Sequence, residues 1–343
     1  MALLFLFLGW CCLVGFSEAQ PTPVSGLSYD FYKRSCPKLE TIIRDQLKKD
    51  FNSDIGLAAA LLRLHFHDCF VQGCDASVLL DGSASGPSEQ DSPPNLTLRP
   101  AAFKAINDLR ALIDKQCGRV VSCADVVALA ARDSVALSGG PDYKVPLGRR
   151  DGLTFATDNA TRASLPPPTS NVSFLISTLA KINLDTTDLV TLSGGHTIGI
   201  AHCPSFTDRL YPTQDTNMDK TFANNLKLTC PAANTTNTTV NDIRSPNTFD
   251  NKYYVDLMNR QGLFTSDQGL YSDSRTKSIV TSFAINQTLF FEQFARSMVK
   301  MGQLSVLTGS QGEIRVNCSA RNSGSGFWSV LDDGWLGDVA SVF

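Results

Sequence analysis

The chain has 343 residues, 43% apolar and 18% charged, with a formal net charge of −3, ten cysteines and four histidines. That length holds one large domain or two modest ones with ample core. A near-neutral balance without a basic stripe argues against a nucleic-acid or polybasic membrane partner, and the apolar fraction rules out a disordered chain.

Residues 3–16 form an uncharged apolar run that Ser17, Glu18 and Ala19 follow. Small residues at Ser17 and Ala19 predict a secretory signal peptide over residues 1–19, with Gln20 leading the mature chain. The run is shorter than the roughly 20 residues that cross a bilayer, so no membrane span is expected once it is removed. Cys11 and Cys12 leave with the signal. Cys36, Cys69, Cys74, Cys117, Cys123, Cys203, Cys230 and Cys318 remain, an even set that predicts four disulfides in an oxidising compartment, with the pairing left open. Sequons at Asn95, Asn159, Asn171, Asn234, Asn237, Asn286 and Asn317 permit glycans.

Between the ends, helical periodicity dominates and no alternating strand pattern is convincing. Helices are predicted over 38–51, 54–68, 101–117, 172–182, 218–229, 250–259 and 287–301. Ser122 and Asp125 stand in capping-box positions ahead of an apolar stretch that closes on Gly139 and Gly140. Asp185 or Thr186 caps another helix, which ends on paired glycines before His196. Pro166, Pro167 and Pro168 break the chain near its middle and suggest a seam between two halves. The reading is a mostly α protein. Beyond Cys318 a Gly-Ser hinge leads into a short apolar-acidic tail, either a sorting segment or a frayed end.

The chemistry concentrates in residues 54–81. On a helix, Arg63 and His67 lie about 40° apart around the axis and offer a cation and an imidazole to one small polar ligand. His65 points to nearly the opposite side and reads as a structural histidine. For the residues that follow, three readings stay open. His65, His67, Cys69 and Cys74 have the side chains of a zinc site. Asp68, Asp75 and Ser77, with Gly73 freeing the backbone, offer oxygen ligands that suit calcium. The third reading is plain surface acidity. A G-x-S-x-G elbow, an H-E-x-x-H helix and a P-loop are all absent.

The string RLHFHDCFVQGCDASVLLD (63–81) resembles the distal signature of secretory plant (class III) haem peroxidases, and DLVTLSGGHTIGIAHC (188–203) resembles their proximal signature. The likeness continues through SCADVVALAARDSVALSGGP, VPLGRRDG, FDNKYY and GLFTSDQGLY, and covers roughly residues 27–318. Phe66 follows the secretory pattern. The resemblance implies a mostly α fold with two helical halves, about 20–165 and 166–318, sandwiching one haem b. A C-terminal extension would occupy 319–343.

Carried over residue by residue, the resemblance makes His196 the axial iron ligand, with Asp267 accepting a hydrogen bond from its other ring nitrogen. That partner fixes the tautomer and strengthens the donor. His67 becomes the acid–base, Arg63 the charge stabiliser and Asn95 the acceptor that sets the His67 tautomer. Two calcium ions are implied. Asp68, Val71, Gly73, Asp75 and Ser77 match the first site, with Glu89 linking it to the haem side through water. Thr197, Asp242, Ser245, Thr248 and Asp250 match the second; many relatives have threonine where Ser245 stands.

The implied disulfides are Cys36–Cys117, Cys69–Cys74, Cys123–Cys318 and Cys203–Cys230, and Pro166 matches a contact for the reducing substrate. Around that contact Arg99-Pro100 and Ser205 depart from the best-known members. The expected activity is reduction of hydrogen peroxide with one-electron oxidation of small phenolic donors by a monomer. In the family an extension such as 319–343 often marks vacuolar delivery, and members without it are often exported to the cell wall. A non-catalytic calcium-binding glycoprotein and a zinc hydrolase are the competing readings.

Overall fold

A computed structural model describes residues 21–82 and 88–322, so the signal-peptide expectation and residues 323–343 of the extension lie outside the described residues. Helices α1 (Leu39–Ser53), α2 (Leu57–Phe70), α3 (Pro100–Cys117) and α4 (Cys123–Leu137) make the first half. Helix α2 is apolar almost all round and α4 is buried along nearly its whole length, as expected of helices at the centre of a core. Pro100 sits in the first turn of α3, where its missing N–H costs nothing.

Ser122 caps α4 by accepting from Asp125 N. The reciprocal half of the expected capping box does not form. The Asp125 carboxylate instead accepts from Tyr32 Oη, Gly148 N and Arg149 Nη1, each at 2.8 Å. A buried guanidinium claims the carboxylate more strongly than an exposed cap would.

Helix α5 (Asp158–Ser164) follows α4, and the second half holds α6 (Val172–Ala180), α7 (Thr186–Ser193), α8 (Lys220–Thr229), α9 (Lys252–Met258), α10 (Thr265–Ser272), α11 (Lys277–Ile285) and α12 (Gln287–Met301). Asp185 is the cap of α7 and forms a full capping box with Asp188. Helices α5, α10 and α11 each bury at most two apolar side chains, too few for a periodic stripe to show in the sequence. Strands β1 (Ile200–His202) and β2 (Thr238–Val240) pair antiparallel, with Ile200 opposite Val240; three residues show no alternation to read.

Helix α2 serves two cores. Leu57, Leu61 and Leu64 join α1, α3 and α4, whereas Ala58, Leu62 and Phe70 join the cluster built by α6, α7 and α9–α12. That second cluster centres on Phe249, Tyr254, Phe290 and Phe294, with the Phe249 and Phe294 rings 4.7 Å apart. A Cβ at Gly194 would run into the Tyr254 hydroxyl and the Phe290 ring, so only glycine lets the chain after α7 pass this cluster.

Disulfides join Cys36–Cys117, Cys69–Cys74, Cys123–Cys318 and Cys203–Cys230. After α12 the chain returns to the first half. Leu304 O accepts from Cys74 N at 3.0 Å, and Arg315 Nη2 donates to Gly152 O at 2.7 Å.

Candidate active site

Arg63 and His67 are one turn apart on α2, and Arg63 Nε donates to His67 Nε2 at 3.1 Å. The guanidinium is also tethered to Thr97 O at 2.9 Å and Pro94 O at 3.0 Å. His67 Nδ1 lies 2.6 Å from Asn95 Oδ1, and Asn95 Nδ2 donates to Glu89 O at 2.7 Å. An amide oxygen only accepts, so the His67 proton sits on Nδ1 and Nε2 keeps its lone pair. Burial, reinforced by the Arg63 charge, depresses the His67 pKa to about 3, so the ring is neutral at physiological pH. Burial also lowers Arg63 to about 10, which leaves it a cation. Asn95 is buried and bonded through both amide atoms, which leaves no room for a sugar at its sequon.

The short 3-10 turn Gly194–Thr197 after α7 presents His196. His196 Nδ1 lies 2.8 Å from Asp267 Oδ1, at the first turn of α10. Asp267 Oδ2 accepts from Phe264 N at 3.1 Å, and Tyr253 Oη donates to Oδ1 at 2.8 Å. The His196 side chain is 40% exposed while that of Asp267 is 3% exposed, so the ring opens into interior space on the side away from the carboxylate. Burial opposes charge on this ring, but the Asp267 charge and hydrogen bond outweigh it and raise the His196 pKa. The Arg63 charge lowers it slightly.

This donor set fits an iron porphyrin. One imidazole is oriented by a carboxylate and keeps its other nitrogen free, and α2 adds a neutral imidazole and a cation. Phe66, half-buried on α2, stacks edge-on against His67 with centroids 5.2 Å apart.

The oxygen-rich loop after α2 shows the need for a cation. Asp68 Oδ1, Ser77 Oγ and Glu89 Oε2 are buried without a hydrogen-bond partner. Their companions are satisfied: Asp68 Oδ2 by Ala76 N at 3.1 Å, Asp75 Oδ1 by Ser77 N at 3.0 Å, and Glu89 Oε1 by Ala156 N at 2.7 Å. Burial pushes all three carboxyls up, Glu89 to about 7, and the charges of neighbouring acids add to it for Asp68 and Glu89. Gly73 has φ 114°, and a Cβ there would collide with Ser305 O, so Val71–Gly73 bends only with glycine.

At the second cluster, Thr197 Oγ1 lies 3.1 Å from Asp242 Oδ2 and 3.4 Å from Asp250 Oδ1. Ser245 Oγ is buried and unpartnered there, and Thr248 N donates to Ser245 O at 2.9 Å. Unfilled buried oxygens cost about 1–3 kcal/mol each, so both clusters fit hard cations.

The zinc reading fails. Cys69 and Cys74 are bonded to each other at 2.09 Å, and His65 is buried against the Cys69 sulfur on the other side of α2. Among the described residues no three His, Cys, Asp or Glu side chains close on one point. Pro166 is half-buried in the link between α5 and α6. The same link approaches the proximal side, where Pro168 O accepts from Ser266 N at 2.9 Å. Sequence reading gave no role to Tyr253, Phe264 or Thr97. Their roles come from chain segments that meet only in the fold.

Comparison with known proteins agrees with this arrangement. A family model described as Peroxidase matches residues 43–286. The chain is 70% identical over 311 residues to Peroxidase 12 of Arabidopsis thaliana, covering 91% of this chain and 87% of that protein. It is 64% identical over 305 residues to Cationic peroxidase SPC4 of Sorghum bicolor, covering 89% and 84%. Peroxidase 66 of Zea mays is 47% identical over 297 residues, covering 87% and 91%. The chain belongs to the plant class III peroxidases, haem enzymes that use hydrogen peroxide to oxidise phenolic donors.

Proposed function

We propose that the enzyme works with one haem b held by His196 and with two calcium ions, one in each oxygen cluster. The carrying observations are the Asn95–His67–Arg63 array and the His196 ring that Asp267 orients. When bound, haem would supply the redox chemistry, giving two electrons to peroxide and recovering them one at a time from phenolic donors.

His67 does the proton work. Its Nε2, now receiving the Arg63 Nε–H, accepts the proton of the near peroxide oxygen and delivers it to the departing one. Arg63, tethered by Thr97 and Pro94, stabilises negative charge as the O–O bond breaks. Asn95 keeps the His67 proton on Nδ1 throughout. Asp267 holds His196 in one tautomer and orientation. Asp68, Val71, Gly73, Asp75 and Ser77 would hold the first calcium beside Glu89, and Thr197, Asp242, Ser245, Thr248 and Asp250 the second. Thr197 directly follows the iron ligand, so the second ion acts on His196 through the backbone.

Residues 20–165 and 166–318 form the two halves around haem, with Pro166 at the donor's approach. The protein acts as a monomer, and residues 319–343 direct it to the vacuole rather than the cell wall. The deciding experiment is His67→Ala with stopped-flow peroxide kinetics. Haem is retained and the peroxide step slows by roughly 10²–10⁴-fold; near-normal rates would refute the base. A colourless protein after haem supplementation would instead support a non-catalytic calcium glycoprotein.

A further inference from the structure

Asp267 Oδ1 carries two donors. His196 Nδ1 and Tyr253 Oη both lie 2.8 Å from this single oxygen, and the other oxygen of the carboxylate takes the Phe264 amide. Tyr253 is buried on α9, and the carboxylate is 3% exposed. The tyrosine is held in place from several sides. Its ring packs edge-on against His196 at 6.0 Å and against Tyr254 at 5.0 Å.

A carboxylate oxygen has finite charge to share. Each donor it accepts weakens its pull on the other's proton. With Tyr253 present, Asp267 draws less on the His196 Nδ1 proton than an otherwise free carboxylate would, and the imidazole keeps less anionic character. The effect is strong at this site because the groups are buried and the field is little screened.

We propose that Tyr253 is a positioning residue that moderates the donor strength of His196 by sharing the Asp267 oxygen, and so sets how strongly the proximal side favours oxidised iron. This rests on His196 being the iron ligand. The nearby Tyr254 offers a matched control. Its hydroxyl is equally buried, yet it donates to Val190 O at 3.0 Å and never meets Asp267.

The test compares the holoenzyme with its Tyr253→Phe and Tyr254→Phe variants. The readouts are the iron–histidine stretching band of the ferrous protein by resonance Raman and the ferric/ferrous potential. Tyr253→Phe is expected to shift the band to higher frequency and the potential lower, because Asp267 then draws fully on His196. Tyr254→Phe is expected to move neither, whatever it does to melting temperature. An unchanged band and potential in Tyr253→Phe would overturn the proposal. So would a shift to lower frequency, which means that the tyrosine merely holds the carboxylate in place. Absence of any iron–histidine band in the unmodified protein would instead refute His196 as ligand, a distinct failure. Should Tyr253→Phe bind haem poorly, the same band is read in Tyr253→Met, which also removes the hydroxyl and must raise its frequency; a fixed or lowered band there overturns the proposal.

Discussion

Asn95 lies between the His67 imidazole and the oxygen-rich loop after α2: its Oδ1 is 2.6 Å from His67 Nδ1, and its Nδ2 bonds Glu89 O. One amide thereby fixes a tautomer on one side and the edge of that loop on the other. Asn95→Val removes both bonds and leaves the His67 N–H unsatisfied, at a cost of about 1–3 kcal/mol. The peroxide step is expected to slow by roughly 10–100-fold with haem retained. Stopped-flow kinetics measures this directly, and an unchanged rate would show that His67 needs no tautomer lock.

The pair Arg63 and His67 was legible because helical spacing alone puts them on one face of α2. The partners of that pair were not. Thr97 and Pro94 reach Arg63 from a loop more than thirty residues away, and Tyr253 reaches Asp267 from another helix. Local pattern carries no information about such meetings; only recognised long motifs could place Asn95 and Asp267. The zinc alternative survived in the sequence because cysteine spacing does not distinguish a thiolate pair from a disulfide. Helices α5, α10 and α11 were missed because each buries at most two apolar side chains, and Asp125 was assigned to a cap because its competitor Arg149 is remote in the chain.

Two histidines are stored neutral. Burial depresses His65 and His67 to about 3 from 6.5, helped by Arg149 for the first and Arg63 for the second. Below pH 6.5 the unfolded chain takes up protons that the folded chain refuses, so stability falls as pH drops toward about 3. Denaturant titrations between pH 7 and pH 4 should show this decline, and His65→Gln should flatten part of it. A variant whose decline matches the parent would exclude His65 as a contributor.

Calcium removal tests the unfilled oxygens. With the ions present, Asp68, Asp75 and Glu89 share a counter-charge; after chelation their repulsion is left buried. An ion held at about 100 times its dissociation constant stabilises by about 2.7 kcal/mol, so EDTA should lower the melting temperature by roughly 5 °C or more. Activity should fall with it, since Glu89 O anchors Asn95. Identical melting curves with and without chelator would reduce both clusters to solvated acids.

Arg315 is a buried cation whose charge acts on those acids. It is fully buried, and its guanidinium donates to Ala76 O at 2.6 Å, Gly152 O at 2.7 Å and Cys318 O at 3.2 Å. Its charge pulls the Asp68, Asp75 and Glu89 pKa values back down. The chain that returns after α12 thus brings a counter-charge to the first oxygen cluster, and the Cys123–Cys318 bridge secures it. Arg315→Leu strands three carbonyls and uncovers the acids, a loss of about 3–5 kcal/mol by denaturant unfolding. Because calcium and Arg315 neutralise the same charges, the loss should be larger in chelator than in excess calcium. Equal losses in both conditions would mean that Arg315 acts only by tying backbone carbonyls, and that the acid cluster does not feel it.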